Sequence, residues 1–366
     1  MIQVTEAPKF KNSPREEFLD AAKGFGIICV LFYHSREIPH GHYISSFFMQ
    51  LFFLVSGYSY KFGRGLWNDI SKKWRGLILP YIYYNIFLLI VRIFFDIISS
   101  KFSPSLYFEI IQGALYSRYC LYPMGFEPNH YFLTNHNSPM WFLTALMTST
   151  VLFLLILKAI QRRPSFLWVA IAILIICTAV TSQLPILLPW SVDTAPVGAV
   201  FLFFGVVIAQ RKLLDLPRSW KSFAVLVSLG LLYILICHYN PNISMFSRTY
   251  GTHGMFSVIN FVLLGALGSY LCIYSIKQIA HTKISKLLAL FGKITIPILC
   301  LHLLIFNLLD RLTTTLLGIE ADSLRTYWLY IIIRIAITLC LCIGIANFFS
   351  LAASMVRKRT ADSAAQ

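Results

Sequence analysis

Apolar residues fill this chain in runs of 17 or more, each ended by charge or by a cluster of Pro or Gly. A run of that length with few charges inside predicts a membrane-spanning helix. Ten such runs follow one another, at 18–36, 43–60, 74–99, 139–160, 165–182, 195–210, 222–238, 255–276, 287–309 and 326–350. The first is the weakest by hydropathy, because Asp20 and Lys23 sit within its opening turns. The expected fold is therefore all-α, a polytopic membrane protein of about ten transmembrane helices. One domain covers 1–366, with an N-terminal segment 1–17, a long loop 100–138 and a tail 351–366. No internal repeat or low-complexity linker divides it.

Composition agrees with the pattern and excludes an ordinary soluble enzyme. Hydrophobic residues make up 57% of the 366 positions and charged residues 13%, about half the charged share of a soluble domain. Ten spans of ~20 residues would use ~200 residues, leaving little for a separate soluble domain. Six of the eight cysteines lie inside apolar runs, with Cys120 and Cys237 expected nearer water, and their spacing gives neither a disulfide framework nor a metal-ligand set. The polar opening from Met1 to Glu17 does not read as a cleaved signal peptide.

Net charge is the odd entry, at +16 from 31 Lys and Arg against 15 Asp and Glu. Sorted by alternate connections, 21 of the 31 basic residues fall on the side that holds both termini. Positive charge marks the cytoplasmic side of a membrane protein, so both termini are expected inside. Short basic connectors at alternate loops are a topology signal, and no contiguous basic face or nucleic-acid motif accompanies them. Loop 100–138 falls outside and is nearly neutral.

Ionisable groups inside a bilayer cost a few kcal/mol each, so each one needs a reason. In the first span Lys23 and His34 are 11 residues apart, which puts them about 20° apart around one helix face and about 16.5 Å apart along its axis. The second span runs back antiparallel and levels Lys23 with Ser56, Gly57 and Tyr58. The ninth repeats the theme, with Lys293 near its inner end and His302 as deep as His34. Two layers emerge, one basic and inner, one histidine-bearing and outer. Lys72, Lys73 and Arg75 open a helix after the second span, and cations at a helix N-terminus make an anion site. Trp141, with His130 and His136 before it, lies at the outer end of the fourth span. The arrangement suits acyl transfer across the membrane: a cytoplasmic nucleotide thioester docks its phosphates below, and His34 acts above as general base or as acyl carrier.

The residues also resemble the membrane-bound acyltransferase family 3, integral-membrane O-acyltransferases of surface glycans. The resemblance rests on FLDAAKGFGIICVLFYH at 18–34, FFLVSGY at 52–58, the cluster Lys72 to Arg75 followed by LILPY at 77–81, WFLTALM at 141–147 and ILCLH at 298–302, in that order. It implies His34 as the catalytic residue. It also implies acyl-donor binding by Lys23, Lys72 and Arg75, to which the two-layer reading adds Lys73, Ser56 and Lys293, with His302, Trp141 and Asp20 in acceptor or supporting roles. Lys23 stands where the family usually has Arg, and Lys72 with Arg75 where it usually has two Arg, so the charge survives without the bidentate fork on the Lys. Acetyl-CoA or another acyl-CoA is the implied co-substrate, with no bound cofactor and no metal. The implied partners are a glycan or glycolipid acceptor and membrane lipids, with no nucleic acid, and the implied location is a bacterial inner membrane. The alternative from another class is a secondary transporter or a lipid-linked glycan flippase or polymerase, for which intramembrane Lys and His would form a pathway.

Overall fold

A computed structural model describes residues 16–35, 41–100, 103–123, 130–132, 136–161, 163–217, 219–241, 243–251 and 254–364. The described residues form helices joined by irregular connections, with two isolated β-bridges, Cys120 to Tyr131 and Ser244 to Thr249. In order the helices are α1 (Glu17–Ser35), α2 (His42–Ser45), α3 (Phe48–Tyr58), α4 (Leu66–Lys73), α5 (Leu79–Ile98), α6 (Pro104–Tyr116), α7 (Trp141–Ile160) and α8 (Leu167–Ser182). They continue as α9 (Ala195–Gln210), α10 (Trp220–His238), α11 (Ser257–Gln278), α12 (Lys283–Lys293), α13 (Thr295–Leu317), α14 (Ala321–Leu324) and α15 (Trp328–Ala364). A π-helical turn, Trp74–Ile78, joins α4 to α5.

Among the described residues eight helices are long and apolar enough to cross a membrane. The two other predicted spans are shorter. The second breaks at Ser46 and Phe47 into α2 and the 11-residue α3, and the fifth is the 16-residue α8. The third is longer than its apolar core suggested, because α4 runs through the π turn into α5. The predicted loop 100–138 carries α6, and the predicted tail continues α15 to Ala364. Residues 1–15 of the predicted N-terminal segment lie outside the described residues. Cys120 and Cys237, expected near water, are both 0% exposed.

The ninth predicted span differs most. It is two helices, α12 and α13, separated at Ile294 (φ −112°, ψ 26°). The reason is local: Pro297 has no N–H to give to the carbonyl four residues back, so a helix arriving from Lys283 stops there and a new one starts with Pro in its first turn. The Thr295 hydroxyl caps the junction by donating to the Gly292 carbonyl at 2.8 Å.

Small residues set the packing, as expected where lipid supplies no hydrophobic drive between helices. A Cβ on Gly57 of α3 would lie 2.0 Å from the Leu202 oxygen of α9, and one on Gly205 of α9 would lie 2.1 Å from the Leu54 oxygen of α3. The two backbones therefore cross in contact, and the segment containing α9 is the most enclosed of the eight long apolar helices, 83% buried. α1 and α12 cross in the same way at Gly24 and Gly292. By contrast α10 is 6% buried and presents its apolar side chains outward.

A buried ionic clamp ties the connections at the other end of the bundle. Asp193 takes Arg118 at 2.6 Å on one oxygen and Arg248 at 3.1 Å on the other, all three side chains being fully buried. Arg118 also donates to the Phe246 carbonyl at 2.6 Å, and its guanidinium lies over the rings of Phe246 and Trp141. Full pairing is what makes burying these charges tolerable.

Candidate active site

The connection after α3 turns at Gly63 (φ 86°) and returns as α4, which places the loop cations and those of α4 at one end of α1, α3 and α12. Between these elements and α5, α7 and α13 lies a cavity of about 660 Å³. Lys23, Lys61, Arg64, Lys72, Lys73 and Lys293 line it, against a single carboxylate, Asp69. Its deeper wall is apolar, from Phe52, Phe142, Leu143, Leu146 and Leu299. A cavity with charge at one end and hydrocarbon at the other is matched to an amphipathic anion.

Partners within the protein hold several of these groups in place. Asp20, 2% exposed, sits one turn before Lys23 and pairs with its ammonium at 2.5 Å. Lys73 donates to the Ser56 hydroxyl of α3 at 2.5 Å. Tyr60 donates to Asp69 at 3.1 Å. The Gly24–Gly292 crossing brings Lys23 and Lys293, each adjacent to one of those glycines, to the same wall.

Five of the predicted donor-site residues, Lys23, Ser56, Lys72, Lys73 and Lys293, therefore share one cavity. Arg75 does not: it is exposed and donates to Ser71 at 3.2 Å. It lies in the π-helical turn, past the stretch of α4 whose Lys72 and Lys73 line the cavity. Lys61, Arg64 and Asp69 were missed, because in the sequence they read as topology charges in a connector. The signal that could have found them is the short connection from α3 to α4, which carries Lys61 and Arg64 and turns α4, with Asp69, back under α3.

The histidines stand outside the cavity but next to each other. His34, in the last turn of α1, is exposed, and its ring centroid lies 5.1 Å from that of His302 on α13, with 48° between the planes. His302 is 0% exposed. Leu299, on the cavity wall, precedes His302 by three residues, about 4.5 Å along the helix. The apolar end of the cavity thus reaches to within one turn of the histidine pair.

Arg334, without an evident partner in the sequence, has several. It donates to the Ser35 carbonyl at the end of α1 at 3.2 Å and pairs with Asp310 at 2.7 Å. Asp310 also takes Arg325 at 2.6 Å and the Tyr330 hydroxyl at 2.7 Å. This cluster fastens the His34-bearing end of α1 to α13 and α15. Trp141 packs in the Arg118 clamp and does not line the cavity. His136, before α7, is hydrogen-bonded to Asn307 of α13 at 2.7 Å.

Comparison with known proteins gives one result. The family model for acyltransferase family 3, described as an acyltransferase domain, matches residues 16–347, from the start of α1 into α15. No curated protein and no solved structure matches the chain. Nearly the whole helical bundle, including the cation-lined cavity and both histidines, lies within the matched region, and the chain belongs to acyltransferase family 3.

Proposed function

We propose that this acyltransferase moves an acyl group, expected to be acetyl, from cytoplasmic acyl-CoA to a hydroxyl of a glycan or glycolipid on the opposite face of a bacterial inner membrane. The bundle then sits in ten spans with both termini cytoplasmic. The observation that carries the reading is the cavity itself: among the described residues six cations line it against Asp69, with Asp20 paired to Lys23 beside it, and an apolar wall ends one turn from His302 and His34. The nucleotide phosphates belong with the cations, and the thioester arm runs along the apolar wall toward His34. Lys23 and His34 are separated along α1 by about 16.5 Å, a span suited to that arm.

At the outer end neutral His34 takes the proton of the acceptor hydroxyl as general base. The oxygen attacks the thioester carbonyl, the C–S bond breaks and the CoA thiolate leaves. Asp20 holds Lys23 toward the donor, and Lys73 with Ser56 does the same on the facing wall. Trp141, His130 and His136 lie toward the acceptor side. Family membership favours this chemistry over transport, since the same cavity in a flippase needs no thioester-length path to a histidine.

The test is transfer of labelled acetyl from acetyl-CoA by the purified protein in liposomes, with mass spectrometry of surface glycans in cells with and without the gene. His34→Ala is expected to abolish transfer while the protein remains membrane-inserted. Retained transfer in that variant would overturn the role of His34.

A further inference from the structure

His302 has one nitrogen fully committed and the other open. Its Nδ1 lies 3.0 Å from the carbonyl oxygen of Ile298 and 3.0 Å from that of Leu299. Both are acceptors, so Nδ1 carries the proton, and in the neutral ring Nε2 is left with a lone pair. Nε2 is buried and makes no hydrogen bond. A buried polar atom without a partner is destabilising, so an acceptor left in that state next to a second imidazole calls for an occupant.

His34 is the adjacent donor. Two imidazoles joined by one N–H···N bond have centroids about 5 Å apart at ordinary hydrogen-bond length, and the two rings stand at 5.1 Å. The restraints on them are unequal. His302 is locked by its two carbonyls and by the edge-on ring of Phe306 at 5.8 Å, whereas the ring of His34 is exposed. The backbone beneath His34 is nevertheless fixed, because Arg334 holds the Ser35 carbonyl. Rotation of the His34 ring is the freedom that remains.

Resting on the reading of His34 as the base, we infer that His302 is a positioning residue: its Nε2 accepts a hydrogen bond from one ring nitrogen of His34, fixes the His34 tautomer and leaves the other nitrogen unprotonated toward the acceptor hydroxyl. When His34 takes the hydroxyl proton, the N–H shared with His302 steadies the imidazolium until that proton goes to the departing thiolate. A partner of this kind outside the reacting atoms sets orientation and basicity.

The test combines spectroscopy with kinetics on the full-length protein. In ¹⁵N-histidine-labelled protein, the His302 signals are expected to report a protonated Nδ1 and a hydrogen-bonded, unprotonated Nε2, and the Nε2 signal should move in His34→Ala. A protonated Nε2 overturns the inference without any substitution being made. In transfer assays His302→Phe keeps the ring and removes the acceptor, and kcat is expected to fall about 100-fold with the acyl-CoA KM unchanged. His302→Gln, whose amide oxygen reaches the place of Nε2, is expected to stay within about 10-fold of wild type. A wild-type kcat in His302→Phe, equal losses in both variants, or a change confined to KM overturns it. Activity surviving in His34→Ala defeats the base assignment instead, while the tautomer measurement stands independently.

Discussion

Gly24 of α1 and Gly292 of α12 each face the other helix's backbone so closely that a methyl group on Gly24 would lie 1.8 Å from the Leu288 oxygen, and one on Gly292 would lie 1.7 Å from the Asp20 oxygen. Neither obstacle is a flexible side chain, so the helices must part to admit one. Gly24→Ala and Gly292→Ala are each expected to lower stability by about 1–3 kcal/mol, read as a lower melting temperature in detergent. Because Lys23 and Lys293 flank the crossing, the donor KM should rise in whatever folded protein remains. A melting temperature equal to wild type would refute the contact.

The cations on the cavity wall and the cation beside it make a paired comparison. Lys23→Ala and Lys73→Ala are expected to raise the acyl-CoA KM about 10-fold or more, since a charge-assisted hydrogen bond contributes about 1.5–3 kcal/mol. Arg75→Ala, exposed and bonded to Ser71, should leave the KM within about two-fold. Equal effects at Lys73 and Arg75 would show that only the regional charge matters.

The Arg334–Asp310 pair is buried and holds the end of α1. Arg334→Ala is expected to destabilise by less than the cost of a fully stranded buried charge, about 3–5 kcal/mol, because Arg325 and Tyr330 still hold Asp310. The double variant Arg334→Ala with Asp310→Ala should recover part of the melting temperature but not the transfer rate. Recovery of both would mean that the hold on Ser35 is irrelevant to His34.

His136 gives the pH dependence. Asn307 donates to its Nδ1, and burial, together with the charges of Arg92 and Arg311, pushes its imidazole below the usual range. A histidine that resists protonation when folded contributes stability that is complete above its unfolded pKa of about 6.5 and is lost as pH falls toward the folded value. The melting temperature should therefore drop between about pH 7.5 and about pH 5.5, and drop less in His136→Gln. Equal acid sensitivity in the two proteins would exclude His136 as a cause.

Long apolar runs made the helical class readable, because a bilayer demands that backbone polar groups be satisfied within each span. Of the breaks inside two of those runs, Pro297 marks one by residue type although hydropathy does not register its missing N–H, and the other is set at Ser46, held by the Tyr233 hydroxyl at 2.6 Å, a partner 187 residues away. One-face spacing singled out Lys23 and His34, and the repeat of the theme in the ninth span singled out Lys293 and His302; the structure brings the two lysines to one cavity and the two histidines side by side. Arg75 stands outside the cavity that Lys72 and Lys73 line, a difference that a run of basic residues does not show. Lys61, Arg64 and Asp69 were missed because connector charges read as topology. Arg334 gave no local sign of its partners, since Asp310 lies 24 residues away and the Ser35 carbonyl 299.

The break at Ile294 frees α13 from the crossing that pins α12. The first turns of α13, at Thr295, Ile296, Pro297 and Leu299, are cavity wall, and the next turn holds His302. Whatever fills the cavity therefore leans on the same rigid rod that carries the buried histidine. On the proposed function, filling of the cavity and the placement of His302 are coupled through one helix.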